Sequence, residues 1–330
     1  MTFLSSVALR SAPTEPIAEQ LNGYGWRGVS ESASQSPTDM AIAAGRAALA
    51  ASTVAADHVR WTLHAGSGYQ GPMGWPAHHE VQQGIVGSAG NAIEVKQYCA
   101  AGLTMWVLAS GLLATDGGAV ICTGADNWGW GDRFSAYRAV GGEPFSDVAH
   151  AAVLSPEQGF ASILGHGTAS CPNQAASWRT REAFWQHATL EDYQSAYRRA
   201  VDARTPEAER DSRQMLLRAV GSALTSAGIS PQYVTHFIPH GSGSGEPYRS
   251  LAKAVGLPWS DELHEHQLDH GYLAVSTQAA GLIHIAQVGL PVDSIVLLLA
   301  TEYLLSVTAV LVRVVRVPQV VVNGETSVVS

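Results

Sequence analysis

Cysteine is scarce in this sequence: Cys99, Cys122 and Cys171 are all there are in 330 residues, and no CxxC spacing occurs. So sparse and odd a set excludes a disulfide framework and a cysteine-rich zinc site, and it suits a reducing cytoplasm. Charge is also scarce, at 14% of residues, and it leans acidic, to a net −9. Without a global basic field, nucleic acid is not an expected partner. The opening MTFLSSVALR lacks the basic start and cleavage pattern of a secretory signal. Pro, Gly or a charge interrupts each apolar stretch before about 18 residues, so no membrane span is expected. The glycine-rich HAGSGYQGPMG and HGSGSG fit neither a P-loop nor a dinucleotide fingerprint, and neither GxSxG nor HExxH is present.

What the chain does have is apolar bulk. At 46% hydrophobic and 330 residues it can bury two core-bearing halves or one large α/β domain. Residues 38–52, TDMAIAAGRAALAAS, read as a helix with Thr38 at its N-cap. VRWTLHAGSG (59–68) reads as a strand running into a glycine loop and NAIEVKQY as extended. Residues 100–113 read as a helix and AVICTGAD (119–126) as a buried strand. HAAVL (150–154) and FASILG (160–165) read as a strand pair. Beyond them come a charged helix at 206–227, the strand and glycine loop YVTHFIPHGSGSG (233–245) and the helix AAGLIHIAQVGL (279–290). The strands SIVLLLATE (294–302) and VTAVLVRVV (307–315) follow, with a loosely ordered tail from Pro318.

The second half replays the first. CAAGL (99–103) lies over QAAGL (278–282), AVICTGAD over IVLLLATE, and HVRWTLHAGSG over YVTHFIPHGSGSG. This self-similarity implies two βαβ-rich halves packed about a pseudo-two-fold, an N-terminal half at 1–167 and a C-terminal half at 206–330. Residues 168–205, richer in Trp, Gln and Arg, read as a linking segment.

Two residues stand where chemistry is expected. Cys99 ends an extended segment and opens a helix, where unpaired N–H groups and the helix dipole favour thiolate. The small residues after it leave room for a substrate carbonyl. Taken alone, it reads equally as a nucleophile or as one more small buried residue; Cys122, mid-strand, reads as core. His240 sits where a strand gives way to a glycine loop, a usual place for functional side chains, and the repeat aligns it roughly with His64. Each half would then supply one member of a Cys–His couple. His264, His266, Asp269 and His270 crowd HEHQLDHGY, but without a ligand motif this stretch, like AHHE (77–80), reads as a solvated loop, and no metal is expected.

Together these blocks resemble the β-ketoacyl-acyl carrier protein synthase III (KAS III) family of the thiolase superfamily. VKQYCAAGL is similar to that family's nucleophile segment, with Cys99 at the acylated cysteine. FSDVAHAAVLSPEQGFASILG (145–165) is similar to its FGDGAGA strand. THFIPHGSGSGEPYRSLAKAVGLP (235–258) resembles its IPHQAN…LGLP block, with His240 at the catalytic histidine. The resemblance implies an α/β thiolase fold, an αβαβα sandwich of two duplicated halves, and a homodimer. It implies no cofactor beyond the CoA or phosphopantetheine that carries the thioester substrate. Where the family's GN(T/S) motif has asparagine this chain has Tyr272, and its GxGGG turn is replaced by ATEYLLS with Glu302, Tyr303 and Leu304. Some relatives place an Asp where Thr277 stands here, so Tyr272, His270 and Asp269 are the candidates for a third catalytic member. Arg249 and Lys253 lie on the helix that meets an acidic acyl carrier protein in the family.

In the family, Asn and His stabilise the enolate formed on decarboxylation. The loss of Asn therefore favours an acyltransferase that forms acyl-Cys99 from acyl-CoA or acyl-carrier protein and passes the acyl group to a small-molecule or carrier-bound acceptor, as in natural-product pathways. His240 would then act as general base toward the acceptor. The alternatives are a decarboxylative β-ketoacyl synthase and a catalytically silent partner subunit of a ketosynthase heterodimer, with a metal-dependent hydrolase as a more distant third.

Overall fold

Runs of Val, Ile, Leu and Ala long enough to be buried on both faces set the architecture. The computed structural model describes residues 1–17, 25–72, 74–129, 143–178, 202, 205–241, 243–302 and 305–328. In chain order the first elements are β1 (Thr2–Ser11), β2 (Thr14–Pro16), β3 (Gly28–Ser30), α1 (Pro37–Ala51), β4 (Val59–Ala65), α2 (Ala77–Val86), β5 (Asn91–Glu94), α3 (Ala101–Asp116), β6 (Ala119–Asp126) and β7 (Val148–Ser155). They continue as β8 (Ala161–Ser170), α4 (Pro206–Ala227), β9 (His236–Ile238), α5 (Glu246–Val255), α6 (Asp261–His270), α7 (Thr277–Gly289), β10 (Ile295–Glu302), β11 (Ser306–Val314), β12 (Gln319–Val322) and β13 (Glu325–Val328).

The described strands form a continuous eleven-stranded sheet in the order β5-β4-β6-β7-β1-β8-β11-β10-β9, with β12 beside β1 and β13 beside β12. Pairing sense reveals the repeat. β4 runs parallel to β6, and β6-β7 and β7-β1 are antiparallel. β9 runs parallel to β10, and β10-β11 and β11-β8 are antiparallel. Each half is thus a strand, helix, strand, helix, strand, strand unit: β1-α1-β4-α3-β6-β7 and β8-α4-β9-α7-β10-β11.

Helices cover both outer faces and fill the space between the two arms of the sheet. α1 packs on β1, β6 and β7 through Met40, Ala41, Ala44 and Ala48. α4 packs on β8 and β11, its Met215, Ala219 and Ala223 sharing one apolar core with Val307, Ala309 and Leu311 of β11. α3 touches β4, β6 and β7 of one half and β10 and β11 of the other, and α7 likewise bridges β1 and β7 to β9 and β10. The order is therefore αβαβα, the expected sandwich. A helix between two sheets is apolar all round. That position explains why Tyr98–Asp116 is long and apolar enough to cross a membrane by length and composition, against the expectation that every such run is interrupted.

Several expectations change. The seam between halves falls between Ser155 and Ala161 and not at 167, because β8 opens the second unit; residues 168–170 belong to it. Most of the linking segment, 179–201, lies outside the described residues. β7 and β8 do not pair with each other but flank β1, an N-terminal segment to which the sequence assigns no strand. The tail is a β12-β13 hairpin whose first strand runs parallel to β1. Ser36, not Thr38, caps α1, through a reciprocal pairing with Asp39. HEHQLDH and AHHE are helical, in α6 and α2.

The halves meet at two short 3-10 turns, Tyr98–Ala100 leading into α3 and Ala274–Ser276 leading into α7, each opening on a residue at φ 44°. Cys99 therefore matches Val275, and not Gln278 as the AAGL alignment suggests. A three-residue slip along a helix nearly preserves its face, so alanine patterns match in either register. The strands shift as well: Leu63 pairs with Cys122 and Ile238 with Leu298, which places Ala65, not His64, opposite His240. Where the turns cross, a Cβ on Gly102 would collide with the Val275 carbonyl oxygen, and one on Gly124 would collide with His150 Cε1. His150 fills the space those glycines leave and bonds Ser276 Oγ through Nδ1 at 2.9 Å. A Gly102→Ala change forces backbone apart and will destabilise the protein by roughly 1–3 kcal/mol in urea unfolding.

Burial pushes the His150 imidazole down to about 3 and His64 to about 4. The unfolded chain binds protons at these rings below its ordinary value of about 6.5 while the folded chain does not, so each depresses stability as pH falls from 6.5. In His150→Gln, the stability lost between pH 7 and 4.5, measured by urea unfolding, will shrink by roughly 2 kcal/mol.

Candidate active site

The two turns place the chemistry. Cys99 sits at the middle of the first turn, His240 two residues past the end of β9, and Tyr272 between α6 and the second turn. Cys99 and His240 are 8% exposed and Tyr272 5%. Tyr272 is strapped in place by backbone: its N–H donates to the Pro144 carbonyl at 2.7 Å, and its own carbonyl accepts from the Ser146 N–H at 3.0 Å. Gly271 before it adopts φ 72°, and the Ser146 hydroxyl donates to the His270 carbonyl at 2.6 Å. Phe145 meets the Tyr272 ring edge-on at 5.4 Å, and Trp128 packs on Phe145 at 4.2 Å. With Trp26, Leu268 and Ala274 these rings form an apolar cluster that includes Cys99.

His240 Nδ1 faces the Thr301 backbone N–H at 3.4 Å, so it is the acceptor and the neutral ring carries its proton on Nε2. Nε2–H donates to the Tyr272 hydroxyl oxygen at 2.7 Å. The tyrosine's own O–H is left to point toward sulfur or an incoming carbonyl. Ser67, in the loop after β4, donates its hydroxyl to Cys99 Sγ at 3.4 Å.

Electrostatics overturn one sequence argument. The start of a helix favours thiolate at Cys99, but burial outweighs it and pushes the thiol up to about 12, with the hydroxyls of Ser67 and Tyr272 only partly offsetting the rise. Burial also pushes His240 down to about 4 and Tyr272 well above the ordinary phenol range. The resting trio is a thiol, a phenol and a neutral imidazole. The general-base role expected of His240 meets a ring whose Nε2 is already protonated, so in this arrangement it donates.

The remaining sequence candidates scatter. Asp269 pairs with Arg27 at 2.5 Å on the surface, and His270 bonds the His266 carbonyl within its own helix. Thr277 turns its hydroxyl back to the Ala274 carbonyl, and Gln278 donates to the Leu299 carbonyl. His64 is buried between Thr123 and Gln70. Tyr303 and Leu304 lie outside the described residues. Arg249 and Lys253 both lie on the exposed side of α5, but Arg249 is held by Asp261 at 3.0 Å and lies over the Trp259 ring. Among the described residues no group of three or more His, Cys, Asp or Glu side chains is arranged to hold a metal.

Sequence reasoning missed Ser67, Asp126 and Glu143. Asp126 ends β6, and its Oδ1 accepts the N–H groups of Ser67 and Gly68 at 2.7 Å each. Burial pushes Asp126 and Glu143 each up to about 7. The strand-end rule that singled out His240 applies equally to Asp126.

No family sequence model and no curated protein sequence matches the chain. Solved structures do. The acyltransferase ChlB3 superposes with a TM-score of 0.85 at 22% identity, covering 96% of this chain and 98% of that one. The 3-oxoacyl-[acyl-carrier-protein] synthase III of Aquifex aeolicus VF5 gives 0.73 at 17%, covering 95% of this chain and 100% of that one. A single-residue variant of OleA from Xanthomonas campestris gives 0.72 at 13%, over 94% and 96%. The fold is KAS III-like. Within that thiolase-like fold, the two turns that carry Cys99 and lead from Tyr272 mark where the halves meet. Tyr272→Phe leaves the His240 Nε2–H without an acceptor in a buried site and will cost roughly 1–3 kcal/mol in urea unfolding at pH 7; an unchanged midpoint would place the hydrogen bond elsewhere.

Proposed function

We propose that the protein is a thioester-dependent acyltransferase of KAS III-like architecture. Cys99 takes the acyl group from an acyl-CoA or acyl-carrier-protein thioester and passes it to a hydroxyl, amine or thiol of a small or carrier-bound acceptor, in a natural-product type of pathway. The observation that carries this reading is the 2.7 Å bond between Tyr272 and His240, with the phenol also acting on the Cys99 thiol. Decarboxylation of a malonyl group would need two donors converging on an enolate, and here the His240 donor is already occupied by the phenol. The ring and its neighbours Phe145 and Trp128 fill the space beside it with apolar surface. The 0.85 superposition on the acyltransferase ChlB3, against 0.73 and 0.72 for the synthase III and OleA structures, supports the same side.

In the acylation step Sγ attacks the thioester carbonyl, and the developing oxyanion accepts from the Tyr272 O–H, itself polarised by His240 Nε2–H. Such preorganised donors in a dry site are worth roughly 10²–10³ in rate each. The donor's C–S bond breaks and its sulfur leaves as a thiol. In the second step the acceptor attacks acyl-Cys99 in the same pocket, and its proton ends on the released Cys99 sulfur. Arg249 and Lys253, exposed on the helix that follows the His240 loop, are the proposed contacts for the acidic carrier.

Incubation with a panel of acyl-CoAs and acyl-carrier proteins, read by intact mass, will show a gain equal to one acyl group that is absent from Cys99→Ala. Malonyl thioesters will release no CO2 under the same conditions. Stoichiometric CO2 release would establish condensation instead, and no adduct from any donor would favour the silent subunit.

A further inference from the structure

Gln97 stands just before the nucleophile turn, and its side chain crosses to the other half of the molecule. Its Nε2–H donates to Ser306 Oγ at 2.7 Å, and the Ser306 hydroxyl donates to Glu302 Oε2 at 2.7 Å. Beyond the thiol, in the first turn of α3, Thr104 Oγ1 and Thr308 Oγ1 share a hydrogen bond at 2.8 Å. Ser306 and Thr308 are two apart on β11, so they stand on one face of that strand. Cys99 is therefore held from both sides, by residues before and after it that reach the same face of the same strand.

The pseudo-two-fold shows what the fold alone asks for at these places. The two turns match Gln97 to Leu273 and Thr104 to Ala280. The strand registers match the Asp126–Val148 pair to Glu302–Ser306 and the Gly124–His150 pair to Ala300–Thr308. In the half without a nucleophile, Leu273, Val148 and Ala280 form one apolar cluster, and His150 turns to the Ser276 hydroxyl. Apolar contact thus suffices to seat a turn of this shape against its strand. The polar version occurs in the half that carries the thiol. Hydrogen bonds fix distance and direction where apolar contact tolerates sliding, and a chain that ends on a carboxylate is the stronger kind.

We propose that Gln97 is a positioning residue for the Cys99 sulfur, acting with Ser306 and Glu302 as a polar clamp that the Thr104–Thr308 bond closes behind the thiol. The inference rests on the acyl-Cys99 reading for its substrate. The turn opens on Tyr98 at φ 44°, a conformation that persists only where the surroundings enforce it. Ala100, Ala101 and Gly102 after the thiol have no side chain long enough to fix the rotation of the turn. The clamp supplies that hold, keeping Sγ at 3.4 Å from the Ser67 hydroxyl and in one cluster with Tyr272. A displacement of about 1 Å at such a site costs up to roughly 10² in rate.

The apolar pair of the other half supplies the test. Gln97→Leu and Ser306→Val copy Leu273 and Val148. The double variant will keep the urea-unfolding midpoint of the unmodified protein, because replacing both partners leaves neither of them unpaired and the half-buried Glu302 can turn to water. Single-turnover acylation by an acyl-CoA at pH 7, followed by intact mass, will nonetheless slow roughly 10- to 10²-fold in each single variant and in the double. The donor concentration that half-saturates the rate will stay within about twofold. Ser306→Thr, which keeps the hydroxyl, will recover most of the rate. Peptide-resolved alkylation of Cys99 by iodoacetamide at pH 7 needs no thioester. It will slow at least ~3-fold in the Leu and Val variants, as the sulfur leaves the hydroxyls that favour its ionised form. If no donor gives an acyl adduct while alkylation slows as stated, the acyltransferase reading fails and the clamp stands. A double variant that is acylated and alkylated at unmodified rates overturns the clamp. Ser306→Val and Ser306→Thr differ only in the hydroxyl, so equal rates in those two overturn it as well, whether or not the Gln97 variant folds.

Discussion

Everything at the site depends on how closely the two 3-10 turns cross. Gly102 lies against the Val275 carbonyl with no room for a methyl group, and Gly124 lies against His150 in the same way. That contact brings Cys99, at the head of α3 in one half, beside Tyr272, just before the matching turn of the other. A side chain in the crossing would separate the turns by the width of a methyl, and the alignment of thiol and phenol would go with it, since catalytic geometry tolerates shifts of well under about 1 Å. The packing constraint and the chemical one are therefore the same constraint.

The pseudo-two-fold also separates what the fold requires from what the chemistry adds. Tyr98 and its counterpart Ala274 both hold φ at 44°, a conformation costly for a non-glycine residue. Because the turn with Val275 in place of a cysteine shares the strain, the strain belongs to the duplicated turn and is not tied to the thiol. The asymmetry lies in the side chains. Cys99 faces Val275, His240 faces Ala65, and Asp126 matches Glu302, which accepts from the Ser306 hydroxyl at 2.7 Å. Only one of the two equivalent positions carries a thiol with hydroxyls around it.

Much of this is legible in the residues. Long strands buried on both faces, such as β6 and β10, and helices of alanine and leucine announce themselves by composition, and their repeated order discloses the duplication. Register does not follow so easily. Alanine-rich helix starts align as well three residues out of step, and His64 falls one position off because β9 has only three residues to anchor the match. β1 escapes notice because its TFLSSVALRS reads as a polar-flecked terminus until β7 and β8 are seen on its two sides. The His-rich helix α6 reads as a loop because its histidines and aspartates have weak helix propensity, and tertiary contact decides the matter: Leu263, His264, Gln267 and Leu268 are its buried side. At the site, Cys99, His240 and Tyr272 follow from motif position. The partners that set their protonation states do not, because burial and backbone hydrogen bonds leave no trace in spacing.

The state of charge follows from that burial. A thiol pushed up, an imidazole pushed down and a phenol pushed up are three separate responses to one dry pocket. Desolvation disfavours the charged form of every group, so it cannot pre-ionise a nucleophile, though it makes each hydrogen bond to a developing charge stronger. On the proposed acyl-transfer reading, such a pocket favours donors aimed at a developing oxyanion over a resting thiolate–imidazolium pair. Carboxyl groups follow the same rule as the thiol and phenol: burial lifts Asp126 and Glu143 toward neutrality. Desolvation therefore moves the imidazole and the carboxyls in opposite directions, and Asp126 reaches the surroundings of the thiol through the backbone of Ser67, whose hydroxyl donates to the sulfur.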